Sequence, residues 1–490
     1  MFQSPSQDAE WSPNLTINHI PDELLLEIFD SYRQAIDHNY QEWSREYVWF
    51  NLAYVCRKWR AVMFASVSRL DLGISVGPEK PVQINTILSC PWPIFIDYKL
   101  MYRDITGIAV LRMRAVLMHH HDHVRKISFG GTRANFDEFF NVANRAFPLL
   151  ESLSLDFYDG YEPKIPDTFL RGPDLSDLHL RRLSFHGSVS LASVSGFLLS
   201  AKALTNLSLL LGDTAFKSSS EATLLTCLQG LPCLRRFDLF ISLLHPLNSP
   251  SQSSTTKDIV LLSKLTCLYY IGPGVLLDAL VAELSAPSLH DANIHFSDTT
   301  LPPIVHLPRF INEIEERYYA VHVSFQRSFF RLSFLTQSES IGHCYPHFTL
   351  SLDMSYNQET ITRQEKIMRI SGALSTRLTI MEELRVTFDR TNAIFWEDFI
   401  LWRRFLWQLT NVKALRIECG NNDYIARIFF QDDQGPDNYL TFLPALEEME
   451  LVKDPLFTDE SQHGFELAAF ESFISARQQV GRPVKVFFGP

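Results

Sequence analysis

A single phrase, apolar-x-x-apolar-x-apolar, returns from about residue 120 onward, and no other feature restricts the fold as much. It appears as Val124-x-x-Ile127-x-Phe129, Leu150-x-x-Leu153-x-Leu155, Leu180-x-x-Leu183-x-Phe185 and Leu204-x-x-Leu207-x-Leu209. It continues as Leu234-x-x-Phe237-x-Leu239, Leu265-x-x-Leu268-x-Tyr270 and Leu289-x-x-Ala292-x-Ile294. Late copies are Met381-x-x-Leu384-x-Val386, Val412-x-x-Leu415-x-Ile417 and Leu446-x-x-Met449-x-Leu451. The early starts lie 26, 30, 24, 30, 31 and 24 residues apart, and the late ones 31 and 34. Each unit of this kind is a strand plus a return segment, and it cannot bury its apolar side alone. Neighbours must stack into one continuous core with a parallel sheet.

The pattern is the leucine-rich-repeat signature, at or beyond the long end of the usual range of roughly 20–29 residues. Longer repeats leave room for a helix after each strand. NFDEFFNVANRAF, SEATLLTCLQGL and AIFWEDFILWRRFLWQL read as those helices. Pro148, Pro232 and Pro444 each stand two residues before a first anchor, where proline ends a helix and opens a turn. The expected architecture is an α/β solenoid, a leucine-rich-repeat horseshoe of parallel strands plus helices. Repeats are expected over 120–296 and again over 381–490, with a C-terminal cap. Residues 297–380 lack the clean phrase and read as an irregular unit. YAVHVSF, FFRLSF and HFTLSLDM suggest strands there, and ITRQEKIMRISGAL a helix. The Ser/Thr/Pro-rich stretch 245–258 reads as an exposed loop.

The N-terminal part has a different period. Residues 1–16 are polar and read as a disordered tail. INHIPDELLLEIFDSYRQAI then places Ile20, Leu24, Leu25, Ile28 and Phe29 at helical spacing, with Asn18 able to cap and Pro21 at the entry. VWFNLAYVCRKWRAVMFASV places Leu52, Val55, Cys56, Trp59, Val62 and Met63 at spacings of three and four. Two such helices form a small all-α module over 17–68. It buries little surface alone and shows apolar residues on more than one face, a pattern that calls for a partner.

Ile20-Pro21-Asp22-Glu23-Leu24-Leu25, Ile28-Phe29 and Val55-Cys56-Arg57-Lys58-Trp59-Arg60 resemble the F-box. Arg69-Leu70-Asp71-Leu72 and Pro91-Trp92-Pro93-Ile94-Phe95-Ile96-Asp97-Tyr98 resemble segments of a group of fungal F-box proteins with leucine-rich repeats. The resemblance implies docking on the Skp-type adaptor of a cullin-based ubiquitin ligase. The adaptor-binding residues it implies are Pro21, Leu24, Leu25, Ile28, Val55, Cys56 and Trp59. The other reading of these residues is the core of a small helical bundle. Cys56 reads as a small packed apolar group. Residues 69–119 read as a packed linker or N-terminal cap.

A net charge of −12 argues against a general nucleic-acid binder and against docking on anionic membranes. Seven scattered cysteines without a C-x-x-C pair suit reduced thiols in the cytoplasm or nucleus. No signal peptide or long apolar span is evident.

In repeats of this type the x positions share one face. Arg181, Arg182, Arg235 and Arg236 occupy early x positions, and Glu382, Glu383, Glu447, Glu448 and Glu450 late ones. The expected face runs from basic to acidic, with the arginines as candidate substrate-binding residues for acidic or phosphorylated groups of a target protein. Solvated charge on an exposed sheet is the competing reading. His119-His120-His121-Asp122-His123 suggests an exposed helix end more than a metal cluster, and Gly272-x-Gly274 lacks the rest of a phosphate loop. No hydrolase or metalloprotease motif is present. The expectation is a non-catalytic adaptor without metal or cofactor: the box holds the adaptor and cullin scaffold, and the repeats hold a target. A repeat scaffold that assembles no ligase is the alternative.

Overall fold

The computed structural model describes residues 19–39, 52, 54–66, 74–76, 93–99, 107–158, 164–166, 168–171, 179–187, 189–212, 220–241, 259–297, 304–314, 318–325, 329–335, 346–353, 360–388, 405–419, 443–453, 471 and 473–489. The expected tail, the 245–258 loop, Asn18 and most of AIFWEDFILWRRFLWQL lie outside these.

The fold is α/β, built on one large, mostly parallel sheet. Its strands in chain order are β1 (Ile74–Val76), β2 (Ile94–Lys99), β3 (Val124–Gly131), β4 (Ser152–Phe157), β5 (Arg182–Gly187), β6 (Asn206–Leu211) and β7 (Arg236–Ile241). They continue with β9 (Cys267–Gly272), β11 (Asp291–Phe296), β12 (Ala320–Phe325), β13 (Phe329–Leu335), β14 (Pro346–Asp353), β15 (Glu383–Phe388), β16 (Ala414–Cys419), β17 (Glu448–Lys453) and β18 (Lys485–Gly489). The short strands β8 (Val260–Leu261) and β10 (Leu284–Ser285) pair separately.

The repeat phrases share a local geometry. Except at Val124, which opens β3, the first anchor precedes the strand, and in several copies its N–H bonds a carbonyl three residues back: Leu204 to Ala201, Leu234 to Leu231, Leu265 to Leu262, Leu289 to Ala286. The second and third anchors alternate along the strand and point into the core, as a period of two dictates. Every anchor of the ten copies is buried except Leu451, which is half-buried. Neighbouring anchors sit in register, so Leu153, Leu183, Leu207, Phe237, Leu268 and Ala292 form one unbroken line across six strands. A second device ties the units together. One backbone carbonyl per repeat accepts two successive N–H groups from the next: Glu151 takes Arg181 and Arg182, Arg181 takes Thr205 and Asn206, Thr205 takes Arg235 and Arg236.

Helices α3 (Gly107–His119), α4 (Arg133–Val142), α5 (Leu191–Ser200), α6 (Ser220–Gln229) and α7 (Gly274–Ala282) carry buried apolar residues of the same core. Phe136, Phe139 and Phe140 of α4 pack on Phe129, Phe157 and Phe169, with Phe139 stacked on Phe129 at 4.3 Å. The sheet also starts ahead of the first repeat phrase, because β1 pairs in parallel with β2, and β2 with β3.

The order of strands changes once. After β11 comes β14, then β13, then β12, then β15. The β14–β13 and β13–β12 pairs are antiparallel, whereas β11–β14 and β12–β15 are parallel. The irregular stretch is thus a three-strand meander inserted in reverse, and the chain crosses it on entry and on exit. Helix α8 (Leu307–Glu313) lies within the entry crossing, between β11 and β12, and is held at both ends. The buried Asp278 carboxylate accepts N–H groups of Val305, His306 and Leu307 at 2.8–3.1 Å. Arg377 donates to the carbonyls of Ile311 and Ile314 at its other end. An anion at a helix N-terminus and a cation at its C-terminus both oppose the helix dipole.

A separate small core lies in the N-terminal helices α1 (Asp22–Asn39) and α2 (Arg57–Ala65). The spacing from Leu52 to Met63 suggested one continuous helix, and this is corrected. Cys56 is extended, with φ −159° and ψ 173°, and breaks the helical run; its Sγ accepts the Trp59 N–H at 3.4 Å, so it caps α2.

Phe237 is fully buried in the line of anchors, whereas Arg235 beside it is exposed. Phe237→Ala is expected to lower stability by about 3–5 kcal/mol, and Arg235→Ala by no more than about 0.5 kcal/mol. Urea unfolding followed by circular dichroism checks the contrast.

Candidate interaction surfaces

Two surfaces present side chains that the cores do not use. The first is on the N-terminal helix pair. Leu25 and Phe29 of α1 pack with Leu52, Val62 and Met63 as its core. Trp59 completes it, edge-on to Phe29 at 5.1 Å. Lys58 reaches back to the Ile20 carbonyl and lies 3.5 Å from Asp22, closing the pair at its open end.

On the neighbouring side of α1, Leu24, Ile28 and Tyr32 stand at spacings of four and are 49, 43 and 37% exposed. Val55, 49% exposed, and Tyr54 add apolar area at the start of the second segment. Of the residues that the F-box resemblance implies for the adaptor, Pro21, Leu24, Ile28 and Val55 are at the surface. Cys56 and Trp59 are half-buried. Leu25 is not on that surface: it is fully buried, because residues at i and i+1 of a helix lie about 100° apart and only one of Leu24 and Leu25 can face out. Tyr32 belongs to the stripe and was missed by sequence reasoning. Its signal was the i, i+4, i+8 spacing from Leu24.

The second surface is the open face of the sheet. Arg182 and Arg236 stand on it in one row, with Asn206 between them. Arg181 and Arg235 stand immediately before their strands. Arg236 bonds Asp238 at 3.0 Å, so its charge is partly answered within the chain. Arg181, Arg182 and Arg235 make no ion pair among the described residues.

The glutamates expected at the late end of this face are partly paired. Glu382 pairs with Lys413, Glu383 with Arg385, Glu448 with Lys485 and Glu450 with Arg416, so cations interleave with the glutamates. Across β12, β15 and β16, His322 Nε2 lies 2.8 Å from Thr387 Oγ1, which donates to Glu418 at 3.2 Å. Burial holds the His322 imidazole below its ordinary value.

Two thiols stay protonated, Cys267 on the open face of the sheet and Cys227 of α6 in the core. Burial and the Asp291 carboxylate push Cys267 up to about 12, and burial pushes Cys227 to about 11. Neither thiol forms a thiolate at neutral pH. Among the described residues, no group of three or more His, Cys, Asp or Glu side chains is placed to hold a metal ion. Among the same residues, no helix is long and apolar enough to cross a membrane.

No protein-family model matches the chain, and no curated protein matches it.

Leu24 and Leu25 separate surface from core. Leu25→Ala is expected to cost the helix pair about 2–5 kcal/mol, and Leu24→Ala no more than about 0.5 kcal/mol. Amide exchange of residues 22–32 in the two variants measures the difference.

Proposed function

We propose that the chain is a substrate-recognition adaptor of a cullin-based ubiquitin ligase: an F-box-like helix pair binds the Skp-type adaptor, and a leucine-rich-repeat solenoid binds a target protein. The observation that supports it most is the stripe Leu24, Ile28 and Tyr32 with Val55, exposed on a unit whose own core is already closed by Leu25, Phe29 and Met63. A small helical unit that spends apolar side chains on its surface is one that buries them against a partner.

The repeating register of the sheet supports the second half. Side chains on the open face stand about 4.8 Å apart from strand to strand, so successive repeats form one continuous strip for a protein ligand. Arg181, Arg182 and Arg235, with Arg236, give the early part of that strip its charge, suited to carboxylates or phosphates of a target. The docking role needs no chemistry from this chain. Bringing target and charged enzyme together raises their effective concentration. The cytoplasm or nucleus is the compartment for such a complex. A repeat scaffold that assembles no ligase is the second reading, favoured only if the stripe binds no adaptor.

Co-purification of the full chain with a Skp-type adaptor tests the reading. The wild type is expected to retain the adaptor, and a variant with Leu24→Asp and Ile28→Asp to lose it while keeping its circular dichroism. Arg181→Glu, Arg182→Glu, Arg235→Glu and Arg236→Glu together are expected to spare the adaptor and abolish target capture. A wild-type chain that retains no adaptor overturns the ligase reading.

A further inference from the structure

Side chains on the open face of the sheet form rows across the strands, and one row has a period of its own. Lys126, Ser152, Arg182, Asn206 and Arg236 stand in register from β3 to β7. Every second strand thus carries a cation, and the strands between carry short neutral polar side chains. Lys126 and Arg182 are exposed, and neither makes an ion pair among the described residues. Arg236 is 47% exposed and shares its charge with Asp238. Neighbouring strands lie about 4.8 Å apart, so the cations recur about every 9.6 Å.

Two positions further along the strands, Ser154, Ser184 and Ser208 are register partners and give the face a hydroxyl floor. Two positions further again, Leu210, Phe240 and Ile271 stand in register on β6, β7 and β9, all half-buried. Phe240 packs on Tyr269 at 5.2 Å, an aromatic pair on the same face. A ligand lying across the strands therefore meets cations on one flank from β3 to β7, and apolar side chains on the other from β6 onward.

Such a ligand engages all three cations only if its own charges recur at their spacing. An extended strand repeats a face every two residues, or about 6.7 Å. Two turns of an α-helix span about 10.8 Å, which slips by about 2.4 Å over the two intervals of the row. A polyproline II segment turns once in three residues at about 3.1 Å each, so every third residue returns to the same side after about 9.3 Å. Its backbone carries no internal hydrogen bonds, so its carbonyls are open to the hydroxyls of Ser154 and Ser208. Its proline rings dock on aromatic side chains, here Phe240 and Tyr269.

We propose that the target segment bound by this face is an acidic, proline-rich stretch in the polyproline II conformation. A carboxylate at every third residue sets on Lys126, Arg182 and Arg236 in turn, and the last prolines lie on Phe240 and Tyr269. Each point of the row offers one cation, which matches the single charge of a carboxylate. The proposal rests on reading the open face as the target-binding strip, and it names the chemistry of the target.

Fluorescence anisotropy of the full chain with a labelled peptide of three Glu-Pro-Pro units tests this, against a peptide of the same composition whose glutamates stand at every second residue. The first is expected to bind about tenfold more tightly, because the second keeps one exposed ion pair of three, each contributing roughly twofold to fivefold. Lys126→Ala and Arg182→Ala are each expected to weaken the first peptide about threefold. Arg236→Ala is expected to weaken it less, since Asp238 already answers that charge, and Lys485→Ala, at the far end of the sheet, to leave it unchanged. The altered side chains are exposed, and circular dichroism checks that the fold is kept. No binding, equal affinity for the two spacings, or no loss in Lys126→Ala and Arg182→Ala overturns the proposal. So does a phosphoserine counterpart that binds more than tenfold tighter than the glutamate peptide, which would assign the row to phosphates. Adaptor retention on the same preparation reports the ligase reading separately: a chain that keeps the adaptor and shows no preference for spacing fails this proposal alone.

Discussion

No strand of this protein can bury its apolar side without the strand beside it, and the rest of the structure follows from that dependence. The anchors of each repeat reach the core only because the next repeat presents its own anchors in register. Burying one such side chain contributes about 1.5–3 kcal/mol, so the array gains stability with each unit and has no single centre. The forked bonds from Arg181, Thr205 and Arg235 carry the same dependence into the backbone. Register also determines the open face, since a residue two positions from a buried anchor has no choice of side. The serines, arginines and apolar residues there form rows because the core beneath them does.

The reversed meander of β12, β13 and β14 is the place where sequential stacking fails. Its entry and exit each skip strand positions, which costs loop entropy and leaves helix ends to be satisfied. Asp278 and Arg377 answer this from the units before and after, one at each end of α8. Charged side chains are buried or half-buried there because they stand in for backbone partners that a regular repeat would supply. Arg477 plays a similar part near the end of the sheet, donating to the carbonyls of Leu443, Pro444 and Leu446.

The regular repeats were legible because three apolar residues per unit must face inward, and spacing alone reveals them. The same rule hid a copy in the meander, Tyr318-x-x-Val321-x-Val323, whose aromatic first anchor disguises it although all three residues are buried. Reversed strand order has no sequence signal, because pairing partners are chosen by geometry and not by neighbours along the chain. Leu24 and Leu25 were both expected at the partner surface, and only helical angle divides them. The break at Cys56 escaped because a thiol is seldom read as a cap.

The helix pair and the sheet have separate cores and offer separate surfaces, one apolar and one charged, and the central claim is that each serves a different partner. Hydrogen–deuterium exchange of the full chain, with and without a Skp-type adaptor, tests this most directly. The account predicts slower exchange in residues 22–32 and 54–64 and no change in the strands between 152 and 296. Slowing on the sheet with none in the N-terminal helices would contradict it.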